Sequence, residues 1–237
     1  MKIGNQSAIQ NRLLRALPRA EYLRIETKLQ QVKLAFNDVL YEPGDAIKHV
    51  YFPDDSLVSL LTLVDDRSAL EVGMVGREGM VGIPLALGID ASPVRALVQG
   101  EGTAMRMTAA HFRKEFRHSL HLQNQVHLYT GALMSQVAQS AACNRFHLVE
   151  ARLARWLLMT RDRVGSNDLH MTHEFLGHML GVRRVGVTKA AHALKKRGLI
   201  EYSRGNIVIL NGRALEAVSC SCYQMDKNRY GQRERKK

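Results

Sequence analysis

Cationic and hydroxyl side chains recur at helical spacing in the C-terminal third of the sequence. Arg184, Thr188 and His192 are four residues apart, and Lys189 adjoins them, so all four share one face if this segment is a helix. Such side chains donate hydrogen bonds to phosphate oxygens and to base edges. Residues 171–213 carry eight Lys or Arg against two Glu. This surplus of positive charge indicates a polyanion as the ligand, and DNA is the first candidate.

The surrounding residues predict the elements that would position this face. Thr172 is a good N-cap for a helix with a buried apolar face, and Gly181 stops that helix. A second helix follows, with Val187, Ala191 and Leu194 among the residues of its apolar face. Two short strands, 199–202 and 207–210, then predict a hairpin. A helix, a glycine turn, a second helix and a hairpin are the layout of a winged helix-turn-helix.

The run MTHEFLGHMLGVRRVGVTKAAHALKKRGLIEYSRGNIVIL, which starts at Met171, resembles the DNA-binding domain of the Crp/Fnr family of bacterial transcription regulators. The resemblance places the three base-reading positions of the family, typically Arg, Glu and Arg, on Arg184, Val185 and Lys189. Valine cannot accept a hydrogen bond from the exocyclic amine of cytosine, as glutamate would. It offers an apolar contact instead, for example to a thymine methyl group. The predicted DNA-binding residues are Thr172, Arg183, Arg184, Val185, Thr188, Lys189, His192 and Arg204, with Arg184 on guanine and Thr172, Arg183 and Arg204 on phosphates.

The N-terminal half has a different pattern, in which glycines separate short apolar runs between Gly44 and Gly102. Short strands with frequent tight turns predict a β-roll or barrel. The segment from Tyr41 to Asp45 resembles the turn that opens the cyclic-nucleotide-binding-like β-roll of the same family. The expected fold class is therefore α+β, with an N-terminal β-roll (a cupin-like double-stranded β-helix), a long dimerisation helix and a C-terminal winged helix-turn-helix.

Control by cyclic nucleotide is not expected from this β-roll. The resemblance implies a Glu for the ribose and an Arg-Ser pair for the cyclic phosphate, and these positions fall on Ile83 and on Ser92 and Pro93. Glu78 or Arg95 would replace the missing groups only if a small gap shifted them. A buried phosphate without a fixed guanidinium is poorly compensated, so we expect this function to be lost. The effector is left unknown, and no cofactor is predicted.

Between the two halves, apolar residues step by three and four, close to a coiled-coil seam. The predicted dimer interface consists of Leu122, Val126, Tyr129, Leu133 and Val137. A helix packed only on its own β-roll would show the same stripe, so that alternative stays open. Dimerisation is favoured because the second helices of the two helix-turn-helix motifs then meet successive major grooves of DNA.

The domains expected from these patterns are a sensor at 1–117, a dimerisation helix at 118–145, a DNA-binding domain at 146–222 and a basic disordered tail at 223–237. Cys220 and Cys222 form a Cys-x-Cys pair, which suits a thiol switch or two metal ligands. Two ligands do not complete a tetrahedral site, so no metal is predicted. No nucleophile with a base, paired carboxylates or Walker sequence is apparent, and an enzyme is not expected.

Composition agrees with these interpretations. The 237 residues carry a formal net charge of +12, which favours polyanion binding. No signal peptide or membrane-spanning run is recognisable, which predicts a cytoplasmic protein. The expected function is a homodimeric, sequence-specific transcription regulator that binds double-stranded DNA, with RNA polymerase as a further candidate partner. The alternative is a ligand- or protein-binding sensor module with only weak nonspecific nucleic-acid binding.

Overall fold

The computed structural model describes residues 10–65 and 68–231. The chain divides into two compact units, one of Met1–Leu60 with Met74–Leu133 and the other of Leu61–Gly73 with Met134–Lys237. No helix in the described ranges is both long and apolar enough to cross a membrane.

Most of the β-roll, which is built from two sheets, lies in the first unit, while residues 61–73, at the adjoining ends of two of its strands, fall in the second. One sheet has the strand order β1-β7-β3 and the other the order β2-β6-β4-β5. Val50 and Phe52 from β3 and Val98 from β6 are almost fully buried and belong to the core of the roll. The strands are β1 Gln30–Leu34, β2 Val39–Tyr41, β3 His49–Pro53, β4 Leu57–Asp65, β5 Ser68–Val75, β6 Arg95–Gly100 and β7 Gly102–Thr108.

Four helices accompany the roll, and a short 3-10 helix, Ile83–Leu87, lies between β5 and β6. Thr108 caps the third helix by accepting a hydrogen bond from the backbone N–H of His111. Ser119 begins the fourth helix, since its hydroxyl oxygen accepts from the Leu122 N–H at 2.9 Å. The helices are α1 Arg12–Arg15, α2 Arg19–Glu26, α3 Ala109–His118 and α4 Leu120–Phe146.

The second unit takes in the end of α4 and five further helices. The break between α4 and α5 falls at His147 and Leu148. Leu153, Leu157 and Leu194 belong to the core of this unit. The five helices are α5 Val149–Val164, α6 His173–Leu180, α7 Arg184–Lys196, α8 Gly212–Val218 and α9 Cys222–Gly231.

A three-stranded sheet of order β8-β10-β9 completes the second unit. Its strands are β8 Asp168–His170, β9 Ile200–Ser203 and β10 Asn206–Ile209. The expected fold, a β-roll followed by a long helix and a winged helix-turn-helix, is confirmed.

The predicted disordered tail at 223–237 is wrong for residues 223–231, which belong to α9. Tyr223 and Asp226 are buried, and the Tyr223 hydroxyl donates to Asp162 Oδ2 at 2.7 Å. Asp226 also accepts a hydrogen bond from the Arg155 guanidinium at 2.7 Å. The prediction failed because it rested on the basic composition of the segment, which does not show that Tyr223 and Asp226 are anchored. Residues 232–237 lie outside the described range.

Candidate nucleic-acid interface

Helix α6 and the turn after it set the position of the next helix. Thr172 caps α6, since its hydroxyl oxygen accepts from the Phe175 N–H at 3.1 Å. The helix ends at Gly181, whose φ of 60° is left-handed. A Cβ atom at Gly177 would lie 2.9 Å from the Val182 carbonyl oxygen. Glycine at that position therefore permits the close approach of the chain as it enters α7.

Helix α7 has the two faces that the sequence predicts. Val187, Ala190, Ala191 and Leu194 are buried. The opposite face is exposed and consists of Arg184, Val185, Thr188, Lys189 and His192. These five residues lie over the first two turns and the start of the third, so they form one continuous surface at the N-terminal end of the helix. An exposed surface of this composition can contact phosphates and base edges together.

Two side chains near this face are constrained by neighbours. The Thr188 hydroxyl donates to the Arg184 carbonyl oxygen, and His173 Nδ1 lies 3.1 Å from the same Thr188 Oγ1. Desolvation lowers the pKa of His173, and the nearby charge of Arg184 lowers it further. Because this favours the neutral imidazole, the positive charge of the surface comes from Arg183, Arg184 and Lys189 rather than from His173.

The wing is a tight hairpin of β9 and β10. Its connection is the pair Arg204 and Gly205, with φ values of 47° and 83°, as in the two-residue turns that suit twisted strands. The strands are each shifted by one residue from the predicted 199–202 and 207–210. The third strand, β8, was missed, because three residues give too short a pattern to recognise.

The predicted phosphate-binding residues Thr172, Arg183 and Arg204 are all exposed. The structure also brings the wing turn to the start of α6. The Met171 N–H donates to the Gly205 carbonyl oxygen at 2.7 Å, and a Cβ atom at Gly205 would lie 3.5 Å from Thr172 Cγ2. Residues far apart in sequence thus share one surface.

Arg152 supports the helix-turn-helix and was missed by sequence reasoning. Its guanidinium donates to the carbonyl oxygen of Leu180 at the end of α6 and to Asn144 Oδ1, the latter at 2.7 Å. The side chain is 7% exposed. The arginine therefore joins the last turn of α6 to the end of α4, and it satisfies a helix-terminal carbonyl group. Nothing in the local pattern distinguishes it from the other arginines of α5.

The predicted dimer-interface residues of α4 need a partial correction. Leu122, Val126 and Tyr129 are at most 2% exposed within a single chain. The Tyr129 ring packs directly on Gly79. Their apolar stripe therefore belongs to the core of the first unit, which is the alternative that the sequence left open. Leu133 is also buried, and Val137 is 37% exposed.

A different face of α4 is exposed. Met134 and Leu128 are 68% and 60% exposed, and a Cβ atom at Gly131 would meet open space. The exposed apolar and small residues, spaced by three and four, are Leu128, Gly131, Met134, Ala138 and Ala141. We call this set the α4 stripe.

The β-roll residues aligned with a nucleotide site are engaged otherwise. Arg95 Nε donates to Glu42 Oε2 at 2.9 Å, and Ile83 is buried in the 3-10 helix. Glu78 is buried and accepts from the Gly76 N–H at 3.2 Å. The Ser92 hydroxyl donates to the Val94 carbonyl oxygen at 2.7 Å. Arg95 and Glu78 are thus held by protein groups.

The structure brings two further metal-binding side chains to the pair Cys220 and Cys222. Cys220 and Cys222 are joined by Cys143 and His147, and one ligand atom from each of the four residues lies within 4.8 Å of the others. The sequence separation of about 75 residues between the two pairs hid this arrangement. The premise that only two ligands are present is therefore wrong.

The second unit matches a known domain family. Residues 151–218 match the family model of the Crp-like helix-turn-helix domain. This part of the chain is therefore a Crp-like helix-turn-helix domain, and the resemblance predicted from the sequence is confirmed. No curated protein sequence matches the chain.

Solved structures are similar over most of the chain. A protein from Eubacterium rectale described as a Crp/Fnr family regulator has a TM-score of 0.68 at 18% identity, and the match covers 87% of this chain and 97% of that one. FixK2 from Bradyrhizobium japonicum has a TM-score of 0.69 at 14% identity, covering 81% and 98%. The c-di-GMP responsive global regulator CLP from Xanthomonas campestris has a TM-score of 0.67 at 16% identity, covering 82% and 100%. At these identities the likeness shows a shared fold.

Proposed function

We propose that this protein is a transcription regulator that binds double-stranded DNA sequence-specifically as a homodimer. The observation that carries the proposal is the exposed face of α7, which presents Arg184, Val185, Thr188, Lys189 and His192 on a Crp-like helix-turn-helix. The helix is fixed by its buried face and by the glycine turn before it. A rigid helix with an exposed polar face is the form in which the major groove is read.

The exposed face supports a distinct role for each side chain. Arg184 donates two hydrogen bonds to O6 and N7 of a guanine. Val185, which is 58% exposed, contacts a thymine methyl group. Lys189 and His192 reach base edges or phosphates from the following turns. Because the Thr188 hydroxyl already contacts His173 and the Arg184 carbonyl oxygen, its contact with DNA is made through the remaining acceptor capacity or its methyl group.

Phosphate contacts position this helix on the duplex. Arg183 stands at the N-cap of α7, and Arg204 occupies the wing turn beside Thr172. These exposed groups lie on either side of the reading face in sequence. They supply affinity that does not depend on base sequence and that weakens with salt.

The homodimer is proposed to form through the α4 stripe. Small residues at Gly131, Ala138 and Ala141 allow the backbones of two helices to approach, and Leu128 and Met134 supply apolar area. Exposed apolar residues at this spacing are stabilised by burial against a second copy. Two copies then place two α7 helices on successive major grooves.

The proposed regulator is not controlled by cyclic nucleotide. Arg95 is paired with Glu42, and the position aligned with the ribose-binding Glu is the apolar Ile83. Binding a cyclic phosphate would require breaking the Arg95 pair without a second cation in the aligned position. The proposed site of action is the cytoplasm, where the chromosome of a bacterium lies, and RNA polymerase is a proposed further partner.

The function is tested by replacing Arg184. Sequences that the wild-type protein retains are first selected from a random duplex pool at about 0.15 M salt, which suppresses nonspecific phosphate binding. Arg184→Ala is expected to weaken binding to the selected duplex by about 1–3 kcal/mol, or about 5- to 150-fold, and to relax preference at one base pair. Fluorescence anisotropy titration measures both.

The matched control is Arg213→Ala, which removes the same charge from an exposed position on α8. It is expected to leave the base preference unchanged. Equal behaviour of the two variants, or no enriched sequence, would support the sensor module with weak nonspecific nucleic-acid binding instead.

A further inference from the structure

Four side chains with metal-binding atoms meet where two breaks between helices lie together in the second unit. Cys143 lies in the last turn of α4, and His147 directly follows the helix, with its N–H donating to the Cys143 carbonyl oxygen at 3.1 Å, so the two residues are one helical turn apart. Cys220 lies in the connection between α8 and α9, and Cys222 is the first residue of α9. The sulfur atoms of Cys143 and Cys220 are 3.5 Å apart, and Cys222 Sγ is 3.5 Å from His147 Nδ1.

These distances fit a single tetrahedral ion. A zinc ion with bonds of about 2.3 Å to sulfur and about 2.0 Å to nitrogen separates its ligand atoms by about 3.5–3.8 Å. The four candidate atoms all lie within 4.8 Å of one another. An iron–sulfur cluster would need wider spacing, because its own iron and sulfide atoms lie between the ligands.

The donor set selects the class of metal. Three thiolates and an imidazole are soft and borderline ligands, which suit zinc and exclude magnesium and calcium as preferred ions. Four protein ligands also leave no open coordination position, as in structural zinc sites. The three cysteines are at most 7% exposed, so the site is closed to solvent on most sides.

The surroundings compensate the charge of such a site. One divalent ion with three thiolates leaves one negative charge in excess. The buried guanidinium groups of Arg152 and Arg155 both interact electrostatically with Cys143. Gln139 Nε2 donates to Cys222 Sγ at 3.0 Å, as outer groups do at thiolate sites.

We infer that Cys143, His147, Cys220 and Cys222 form a structural metal site that takes one zinc-class ion. The three thiols release their protons to solvent as the ion binds, and no electron is transferred. The ion joins the break between α4 and α5 to the break between α8 and α9. It therefore fixes the start of α9, the helix that the sequence suggested was a disordered tail. This inference does not depend on DNA binding.

The test is the metal content of the full-length protein, prepared without a polyhistidine tag and without chelator. Mass spectrometry is expected to find about one zinc per chain. Cys222→Ser and His147→Ala are each expected to lose most of that zinc. Ser221→Ala and His111→Ala are the matched controls, since both residues are exposed and neither provides a ligand, and both should keep it.

A second measurement uses the wild-type protein alone, so it does not depend on whether a variant folds. After chelation under reducing conditions, Co²⁺ is titrated into the protein. One equivalent is expected to give the intense visible absorption of tetrahedral cobalt with thiolate ligands, and zinc should displace it. Chelation should also lower Tm.

Any one of four results would overturn the inference. The first is a wild-type protein that neither contains zinc nor takes up Co²⁺. The second is a disulfide between Cys143 and Cys220 in a non-reducing peptide map of protein that takes up no metal. The third is iron with inorganic sulfide in place of a single ion. Equal zinc in the wild type and in Cys222→Ser would likewise exclude this site.

Discussion

Helices α4 and α7 each bury one face, but the faces they leave exposed differ in chemistry. The α4 stripe is apolar and small, whereas the exposed face of α7 carries Arg184, Lys189 and polar neighbours. The charged face is well solvated by water, so an anionic ligand is needed to bind it favourably. The apolar α4 stripe is stabilised most by burial against another apolar surface. This difference is the basis for proposing that α7 contacts DNA and that α4 contacts a second copy of the chain.

The largest expected effect comes from a charge placed in the α4 stripe. Met134→Glu should dissociate the dimer, since it sets two carboxylates against each other across the seam. A monomer engages one half-site, and loss of the linked second contact is expected to weaken DNA binding by about 100-fold or more. Analytical ultracentrifugation measures the mass of the protein in solution, and fluorescence anisotropy measures its affinity for DNA.

Met134→Leu is the control, because it keeps the volume and apolar character of the side chain. It should remain dimeric. A Met134→Glu protein that stays dimeric and binds DNA normally would show that the stripe is not the interface.

The next effect concerns Arg152, which links the end of α4 to the last turn of α6. Arg152→Met leaves the Leu180 carbonyl oxygen without this donor, which is expected to lower the free energy of unfolding by about 1–3 kcal/mol. Urea denaturation provides the value. Arg145→Met, at an exposed position on α4, should change stability little. A stable Arg152→Met protein would mean that the link is dispensable.

A substitution at Val185 sharpens the account of the reading face. Val185→Glu introduces an acceptor for the exocyclic amine of cytosine, so one base pair of the preferred sequence should change. The expected discrimination is about 1–3 kcal/mol at that position. Selection from a random pool, performed on both proteins, would detect the change. An identical preferred sequence for the two proteins would show that residue 185 does not contact the bases.

The smallest effect is expected at the wing. Arg204→Ala should weaken binding by a similar factor for every duplex and reduce the slope of log affinity against log salt by about 1. Titrations at several salt concentrations measure that slope. If the substitution instead altered base preference, Arg204 would be a reading residue and not a phosphate anchor.

The sequence predicted the parts of the molecule that depend on local patterns. The cap at Thr172, the left-handed Gly181 and the apolar side of α7 each follow from neighbouring residues, and the structure confirms them. The exposure of Arg184 and Val185 followed from the same helical period. For this region the period of the apolar residues and the glycine turn were sufficient.

Long-range packing was harder to predict. The stripe containing Leu122 and Tyr129 has the spacing of a helix–helix interface, yet it packs inside its own unit. The spacing of apolar residues does not determine which surface packs against them. The cluster of Cys143, His147 and the two later cysteines depends on two chain segments meeting. The same holds for Tyr223 and Asp226, whose hydrogen-bond partners lie on α5.

The most direct test of the account is a hydroxyl-radical footprint on the selected duplex, made with the wild type and with Met134→Glu. We predict two protected half-sites related by two-fold symmetry and about 10 base pairs apart for the wild type. The variant should protect one half-site at high concentration. A single asymmetric footprint shared by both proteins would contradict the account, because α7 would then read DNA without pairing through α4.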